Sequence, residues 1–399
     1  MEVFGYSKKD INYYLVLNTI FEKGALSRTQ LAQYTKLPPA TITSITHDCL
    51  DDGILVEAGT TTTGRGRNQT LLKISDKLCA IGINIEKDHL VAILSNIFGV
   101  VIKQIRRIYN PEDFPQQIMD LVVDCVQEFL SEDPSIRIIG VAVGDPSPID
   151  SASDNVAVSS QFKNWKNTSI KKRIRERFDL PVFVEMNDRL KTLAEMRYGI
   201  AVGCDNFICV HLGHGIGAGF VCEGKLIRGH NGYAGEFGHI IQTDYSDYCH
   251  CGNRGCLETR TSIPFLLHQL QSALAQGSSS VLEQICPDYR ELSLEHVRIA
   301  LEQNDRLVSI CVYDIAAHLG DALAGIIALL NPQKIIFQGP MCALGKPLIC
   351  EIQNVLLRKA FPCSLRGLEF HISALEDLAG PLGASMLVFD DFLHTDFFK

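Results

Sequence analysis

The 399-residue sequence predicts a mixed α/β chain, with an N-terminal winged helix-turn-helix and then a larger body of two lobes. Three observations carry this. Residues 1–75 pattern as short helices followed by two strands around a Gly-Arg-Gly-Arg tip. From Leu78 onward apolar strand runs alternate with amphipathic helices, and the succession occurs twice, in two sheets of mixed direction with a cleft expected between them. Gly213–Glu258 combines a glycine-rich turn with a cluster of soft metal ligands.

The head is read residue by residue. An apolar helical pattern over Lys8–Lys23 stops at Gly24. Ser27 and Gln30 form a capping box that opens a second helix. Pro38 and Pro39 suit the first turn of a third, where a missing N–H does no harm. That helix turns Ile42, Ile45, Cys49 and Leu50 inward, leaving Thr41, Thr43, Ser44 and His47 as candidate DNA-contacting residues. Ile54–Glu57 and Thr70–Ile74 read as the wing strands, with Arg65 and Arg67 placed to reach phosphate or the minor groove. A small helical protein–protein module would show a similar pattern; the basic wing tip favours DNA.

Charge is consistent with a local DNA contact only. The whole chain carries −9. Residues 1–75 hold eight lysines and arginines against seven carboxylates, so the remainder carries −10. No global basic field attracts nucleic acid. The content of 46% hydrophobic and 21% charged residues is ordinary for a globular chain of two or three domains. Fourteen scattered cysteines, no apolar leader and no run expected to span a bilayer suggest a reducing cytoplasm and no membrane insertion.

The body reads in order. Strands are expected at CAIGINI, LVAILSN and GVVIKQIRRI, a helix over about Pro115–Leu130, and a strand at IRIIGVAVG. A helix near Ile170–Phe178, the strand PVFVEMN and a helix through Leu193–Tyr198 complete the first half. The second half runs strand FICVHLG, strand AGFVCEG, a helix after Glu258, and a long helix near Leu307–Leu330. Strand KIIFQG, a helix, strand LEFHIS and a last helix after Gly380 follow. The expected boundaries are 1–75 for the head, 76–199 for the first lobe, completed by a C-terminal helix over about 380–399, and 200–379 for the second lobe.

Cys249, Cys251 and Cys256, with His239 earlier in the chain, supply three thiolates and an imidazole. This donor set suits tetrahedral zinc in a structural role, because four protein ligands leave no open position for water. His250 is a rival to His239, and unpaired cytoplasmic thiols are the plain alternative.

The three motifs GHGIGAG, GEFGH and CHCGNRGCLE, in that order, resemble the ROK family of repressors, open reading frames and kinases. The likeness covers nearly the whole chain, including the winged head. It implies that the body has the two-lobed actin-like, hexokinase-like (ribonuclease H-like) architecture, and it favours His239 over His250 as the zinc ligand. It also implies a sugar site at Asn187, Asp188, Glu236, His239 and Glu258. Such groups are chemically apt, since each sugar hydroxyl both donates and accepts. In the family's kinases the aspartate matching Asp188 is the general base.

Two departures oppose the kinase reading. The family's Asp-x-Gly-Gly-Thr turn is replaced by Asn84, Glu86, Lys87 and Asp88, which fill the close approach to phosphate and add negative charge. His214 stands where kinases carry threonine, and Ser147 replaces a glycine in VGDPSPID. Together with the head, this implies the repressor branch, whose members respond to xylose, glucose or N-acetylglucosamine. The expectation is a cytoplasmic, sugar-responsive regulator, binding a double-stranded operator as a homodimer or homotetramer. An ATP-dependent sugar kinase with a DNA-binding head is the alternative.

Overall fold

The computed structural model of the chain describes residues 8–62, 68–110, 115–150, 155–156, 162, 165, 168–242 and 247–394. In the head, α1 (Lys8–Lys23) buries Val16, Leu17 and Ile20 on one face. β1 (Leu26–Ser27) follows, and Ser27 caps α2 (Arg28–Thr35). The Ser27 N–H donates to Gln30 Oε1 at 2.9 Å while the Gln30 N–H donates to Ser27 Oγ, so the expected capping box is present. α3 (Pro39–Asp51) begins with Pro39 in its first turn. Ile42, Ile45 and Cys49 are buried as expected, but Thr46 is buried and Leu50 only half-buried. The spacing 42, 46, 49 is the centre of the inward stripe and Leu50 lies at its edge; the Thr46 hydroxyl is satisfied by Arg28 Nε at 2.8 Å.

β2 (Leu55–Thr62) and β3 (Asn68–Ile74) pair antiparallel and run further toward the wing tip than the sequence pattern reached. β1 adds a third strand by pairing Leu26 with Leu72; two residues are too few to register as a strand in sequence. Arg65 and Arg67 lie outside the described residues.

Only Ser75–Lys77 separates β3 from β4 (Leu78–Ile85), which is buried at every position. β5 (His89–Asn96) and β6 (Val101–Ile108) pair antiparallel beside it. α4 (Pro115–Leu130) crosses to β7 (Arg137–Asp145), parallel to β4. A small hairpin of β8 (Ile149–Asp150) and β9 (Asn155–Val156), then α5 (Ile170–Arg175), lead to β10 (Val182–Met186), parallel to β7. α6 (Asn187–Tyr198) follows without a linker. It starts six residues earlier than the expected Leu193, so Asn187 and Asp188 belong to its first turn.

The second lobe repeats the path. β11 (Phe207–Leu212), β12 (Ile216–Cys222) and β13 (Lys225–Leu226) are antiparallel neighbours. Helices α7 (Glu258–Thr261), α8 (Ile263–Ala275), α9 (Leu282–Ile285), α10 (Leu294–Glu302) and α11 (Arg306–Leu330) precede β14 (Lys334–Gln338). α12 (Lys346–Lys359) leads to β15 (Glu369–Ile372), and β14 and β15 extend the sheet in parallel from β11. The two sheets have orders β10-β7-β4-β5-β6 and β15-β14-β11-β12-β13, the same topology written twice. The last helix, α13 (Ala379–Leu393), packs on β4, β7 and α6 of the first sheet.

α11 corrects one expectation. It holds an 18-residue window of mean hydropathy 1.5, long and apolar enough by length and composition to cross a membrane. Its Val312, Ile315, Leu319, Leu323 and Ile327 are buried in the core of the second lobe, and Asp314, His318 and Asp321 interrupt its other face.

The head is docked on the first lobe. Asn18 Nδ2 donates to the Leu393 carbonyl at 2.9 Å, and the Tyr14 and His394 rings lie 3.9 Å apart. Arg137 donates to the Asp52 carbonyl, and the Arg197 guanidinium lies 4.5 Å above the Phe21 ring. Leu17, Ile20, Leu55 and Ile74 share one buried cluster with Leu78, Phe389 and Leu393.

Candidate functional site

α6 packs closely against β12 because that strand carries glycine at 217 and 219. A Cβ on Gly217 would stand 1.8 Å from Asp188 Oδ2, and one on Gly219 would stand 1.9 Å from Thr192 Oγ1. These glycines, read in sequence as part of a tight turn, sit inside the strand and admit the first turns of α6. The hairpin turn itself is Gly213–Gly215, closed by the Gly213 N–H donating to the Gly215 carbonyl at 3.1 Å.

Between the sheets lies a cavity of about 410 Å³, within the range of small-molecule sites. Asn187 and Asp188 reach it from α6, Glu236 and His239 from the segment after β13, and Glu258 from the start of α7. All five residues expected at the sugar thus line one space. Pro146, Pro148, Tyr233, His211, His250 and Asn253 line it as well. Sequence reading missed His211 and Tyr233. His211 sits on an ordinary buried strand and Tyr233 in an irregular loop, and neither belongs to a recognisable spacing.

Arg189 anchors that loop. Its Nη1 donates to Glu185 Oε1 at 3.0 Å, and its Nη2 donates to the carbonyls of Gly232 and Ala234 at 2.6 Å each. Glu185 is also met by Arg228. The segment carrying Tyr233 and Glu236 is therefore tied to the same helix turn that presents Asp188.

At the first turn of the body Glu86 faces the cavity. Its Oε1 lies 2.8 Å from Lys191 Nζ and accepts from Asn84 Nδ2 at 2.7 Å. Burial alone would raise the Glu86 carboxyl, but Lys191 and His211 outweigh it and hold it at about 2. Lys191 Nζ also approaches His211 Nδ1 at 3.1 Å and Asp188 Oδ1 at 3.8 Å. Burial and the neighbouring Lys191 push the His211 imidazole below its ordinary range. Burial raises the Glu236 carboxyl, with His239 opposing. Asp145, behind the two prolines, is pushed up to about 6 by burial, although Trp165 Nε1 and the Ser147 N–H each donate to it at 2.8 Å.

His239, Cys249, Cys251 and Cys256 form a cluster that could hold a metal ion, their ligand atoms all within 4.8 Å of one another. Cys251 Sγ and Cys256 Sγ stand 3.7 Å apart, and His239 Nδ1 and Cys249 Sγ 3.6 Å apart. A tetrahedral ion with Zn–S of about 2.3 Å and Zn–N of about 2.1 Å requires edges of roughly 3.6–3.8 Å, so the residues fit. His250 is exposed, lines the cavity and is not in this cluster. His239 turns its other nitrogen, Nε2, toward Glu236 Oε2 at 3.5 Å. Cys249 Sγ donates to Glu258 Oε1 at 2.9 Å. The cluster thus abuts two of the carboxylates on the cavity wall.

In the head, Thr43, Ser44 and His47 are exposed on α3 and Thr41 is half-buried. Thr43 Oγ1 donates back to the Pro39 carbonyl, and His47 Nδ1 lies 2.7 Å from Asp51.

A winged head fused to a duplicated two-lobed body with a ligand-sized cleft defines the class, and the ROK family profile matches residues 80–391: the chain belongs to the ROK family. It is 28% identical over 389 residues to the xylose repressor of Caldicellulosiruptor bescii, covering 96% of this chain and 97% of that one. A solved ROK family transcriptional regulator, homologous to the E. coli MLC protein, superposes with a TM-score of 0.82 at 27% identity over 97% of this chain and 98% of its own. A ROK family glucokinase from Streptomyces griseus, solved with glucose and AMPPNP, matches 77% of this chain and 98% of its own with a TM-score of 0.70 at 24% identity. The body therefore has the actin-like, hexokinase-like fold.

Proposed function

We propose that this protein is a transcriptional repressor of sugar uptake or catabolism genes whose cleft takes a sugar that alters operator binding. One observation carries the reading: Asn187, Asp188, Glu236, His239 and Glu258 converge on one cavity, and the helix presenting two of them ends against the head. Whole-length similarity to a xylose repressor and to a solved ROK regulator supports it.

The head would place α3 in the major groove, with Thr41, Thr43, Ser44 and His47 toward the bases and Arg65 and Arg67 toward phosphate. A homodimer or homotetramer in the cytoplasm would present two heads to a palindromic operator. His239, Cys249, Cys251 and Cys256 would hold a structural zinc ion, fixing the loop that ends at Glu258. The sugar must prefer one arrangement of head and lobes over the other to shift operator affinity.

A sugar kinase carrying a DNA-binding head is the second reading, favoured by Asp188 at the cavity wall. The Glu86 carboxylate in the first turn opposes it. Glu258→Ala tests the first reading: operator binding measured by fluorescence anisotropy is retained and the sugar response is lost. Equal loss of both would sink it, and sugar-dependent ADP formation abolished by Asp188→Ala would establish the kinase.

A further inference from the structure

Four carboxylates face the cavity, those of Glu86, Asp188, Glu236 and Glu258, and no lysine or arginine among the described residues lines it. Lys191 lies behind them with its side chain 7% exposed. It stands 2.8 Å from Glu86 Oε1, and Asn84 Nδ2 donates to the same oxygen at 2.7 Å. Two donors, an ammonium and an amide, therefore converge on one oxygen of a side chain that is itself in the wall. This is the donor set that binds a free anion, already filled from within. Asp188 Oδ1, 3.8 Å from the same ammonium, is buried and accepts no hydrogen bond among the described residues.

We propose that the Glu86 carboxylate is the resident occupant of an anion subsite formed by Lys191 and Asn84, and that it makes the cleft selective for an uncharged sugar over the same sugar bearing a phosphate or carboxylate. Glu86 acts in two ways. It satisfies the Lys191 ammonium, so an incoming anion gains no counter-charge from that side chain. It also leaves the carboxylates of Asp188, Glu236 and Glu258 facing the cavity in a partly dehydrated space, where repulsion is weakly screened. The inference rests on the sugar reading of the cleft and names the class of sugar within it.

The test compares the full-length protein with its Glu86→Ala and Glu86→Gln variants, by thermal shift and calorimetry. The probes are matched pairs, glucose with glucose 6-phosphate and N-acetylglucosamine with its 6-phosphate, together with inorganic phosphate alone. The unmodified protein is expected to prefer a neutral sugar over its phosphate by more than about tenfold in Kd and to ignore inorganic phosphate. Glu86→Ala opens a space beside Lys191: inorganic phosphate then raises its Tm, and the neutral-to-phosphate ratio falls by at least about tenfold. Glu86→Gln keeps the volume, loses the charge and narrows the ratio in the same direction, which covers a poorly folded alanine variant. A tighter response of the unmodified protein to the phosphorylated sugar overturns the proposal, as does an unchanged ratio in both variants. Absence of any sugar response in the unmodified protein overturns the sugar reading itself, a result distinguishable from the other two.

Discussion

Asp188 and Arg197 stand nine residues apart on one helix, the first facing the cavity and the second stacked on Phe21 of the winged head at 4.5 Å. At 1.5 Å per residue the helix spans about 14 Å between them. A rigid rod with a ligand at one end and the head at the other conveys small displacements without needing a longer chain of contacts. Arg197→Ala is expected to retain operator affinity without sugar and to lose most of the sugar response. Coupling energies of about 1–3 kcal/mol are typical of such links. Anisotropy titrations with and without sugar check this; an undiminished response would exclude α6 as the link.

Arg189→Ala is expected to cost about 3–5 kcal/mol, because it leaves Glu185 buried with only the partly exposed Arg228 as a partner and releases the carbonyls of Gly232 and Ala234. Urea unfolding of the variant and the unmodified chain measures it. A loss under about 1 kcal/mol would place the pair among ordinary surface ion pairs.

Removing metal is expected to lower Tm and abolish the sugar-induced shift together, since the cysteine loop ends at Glu258. Purified protein should release about one zinc ion per chain to a chelator, and Cys256→Ser should release none. Unchanged Tm and sugar response after chelation would separate the cluster from the cleft.

The Glu86 carboxyl sits at about 2, below its ordinary 4.5. A depressed carboxylate contributes stability above the unfolded value, and that stability is lost as pH falls from about 4.5 toward about 2. The difference corresponds to about 3 kcal/mol. Glu86→Gln should therefore be less stable than the parent at pH 7, with the two converging as pH drops through this window. Parallel stability–pH curves would show that Lys191 does not hold Glu86 ionised.

Local chemistry made much of this legible in sequence. Ser27 with Gln30, Pro39 at a helix start, and cysteines around Gly252 and Gly255 each announce themselves within a few residues. α6 did not, because its character is set at long range. Arg189, Lys191 and Glu195 are charged residues of a type usually exposed, yet all three are buried and find partners at Glu185, Glu86 and Ser373. Lys191 is spaced like any helical cation, and only the fold brings it to Glu86. Gly217 and Gly219 look like turn residues because sequence cannot show a helix lying across their strand.

The docking of Asn18 on Leu393 and of α13 on β4 has a consequence for synthesis. The ribosome makes the head and β4 about 300 residues before the helix that covers them, an interval of roughly 15–60 s at ordinary elongation rates. During that interval Leu17, Leu78 and Ala80 lack Phe389 and Leu393 from their shared cluster. The second lobe, whose strands and helices are contiguous in the chain, is free to finish first. Truncation of the last fifteen residues would leave the oldest part of the nascent chain waiting for a partner that never arrives, and exposed to aggregation and proteolysis.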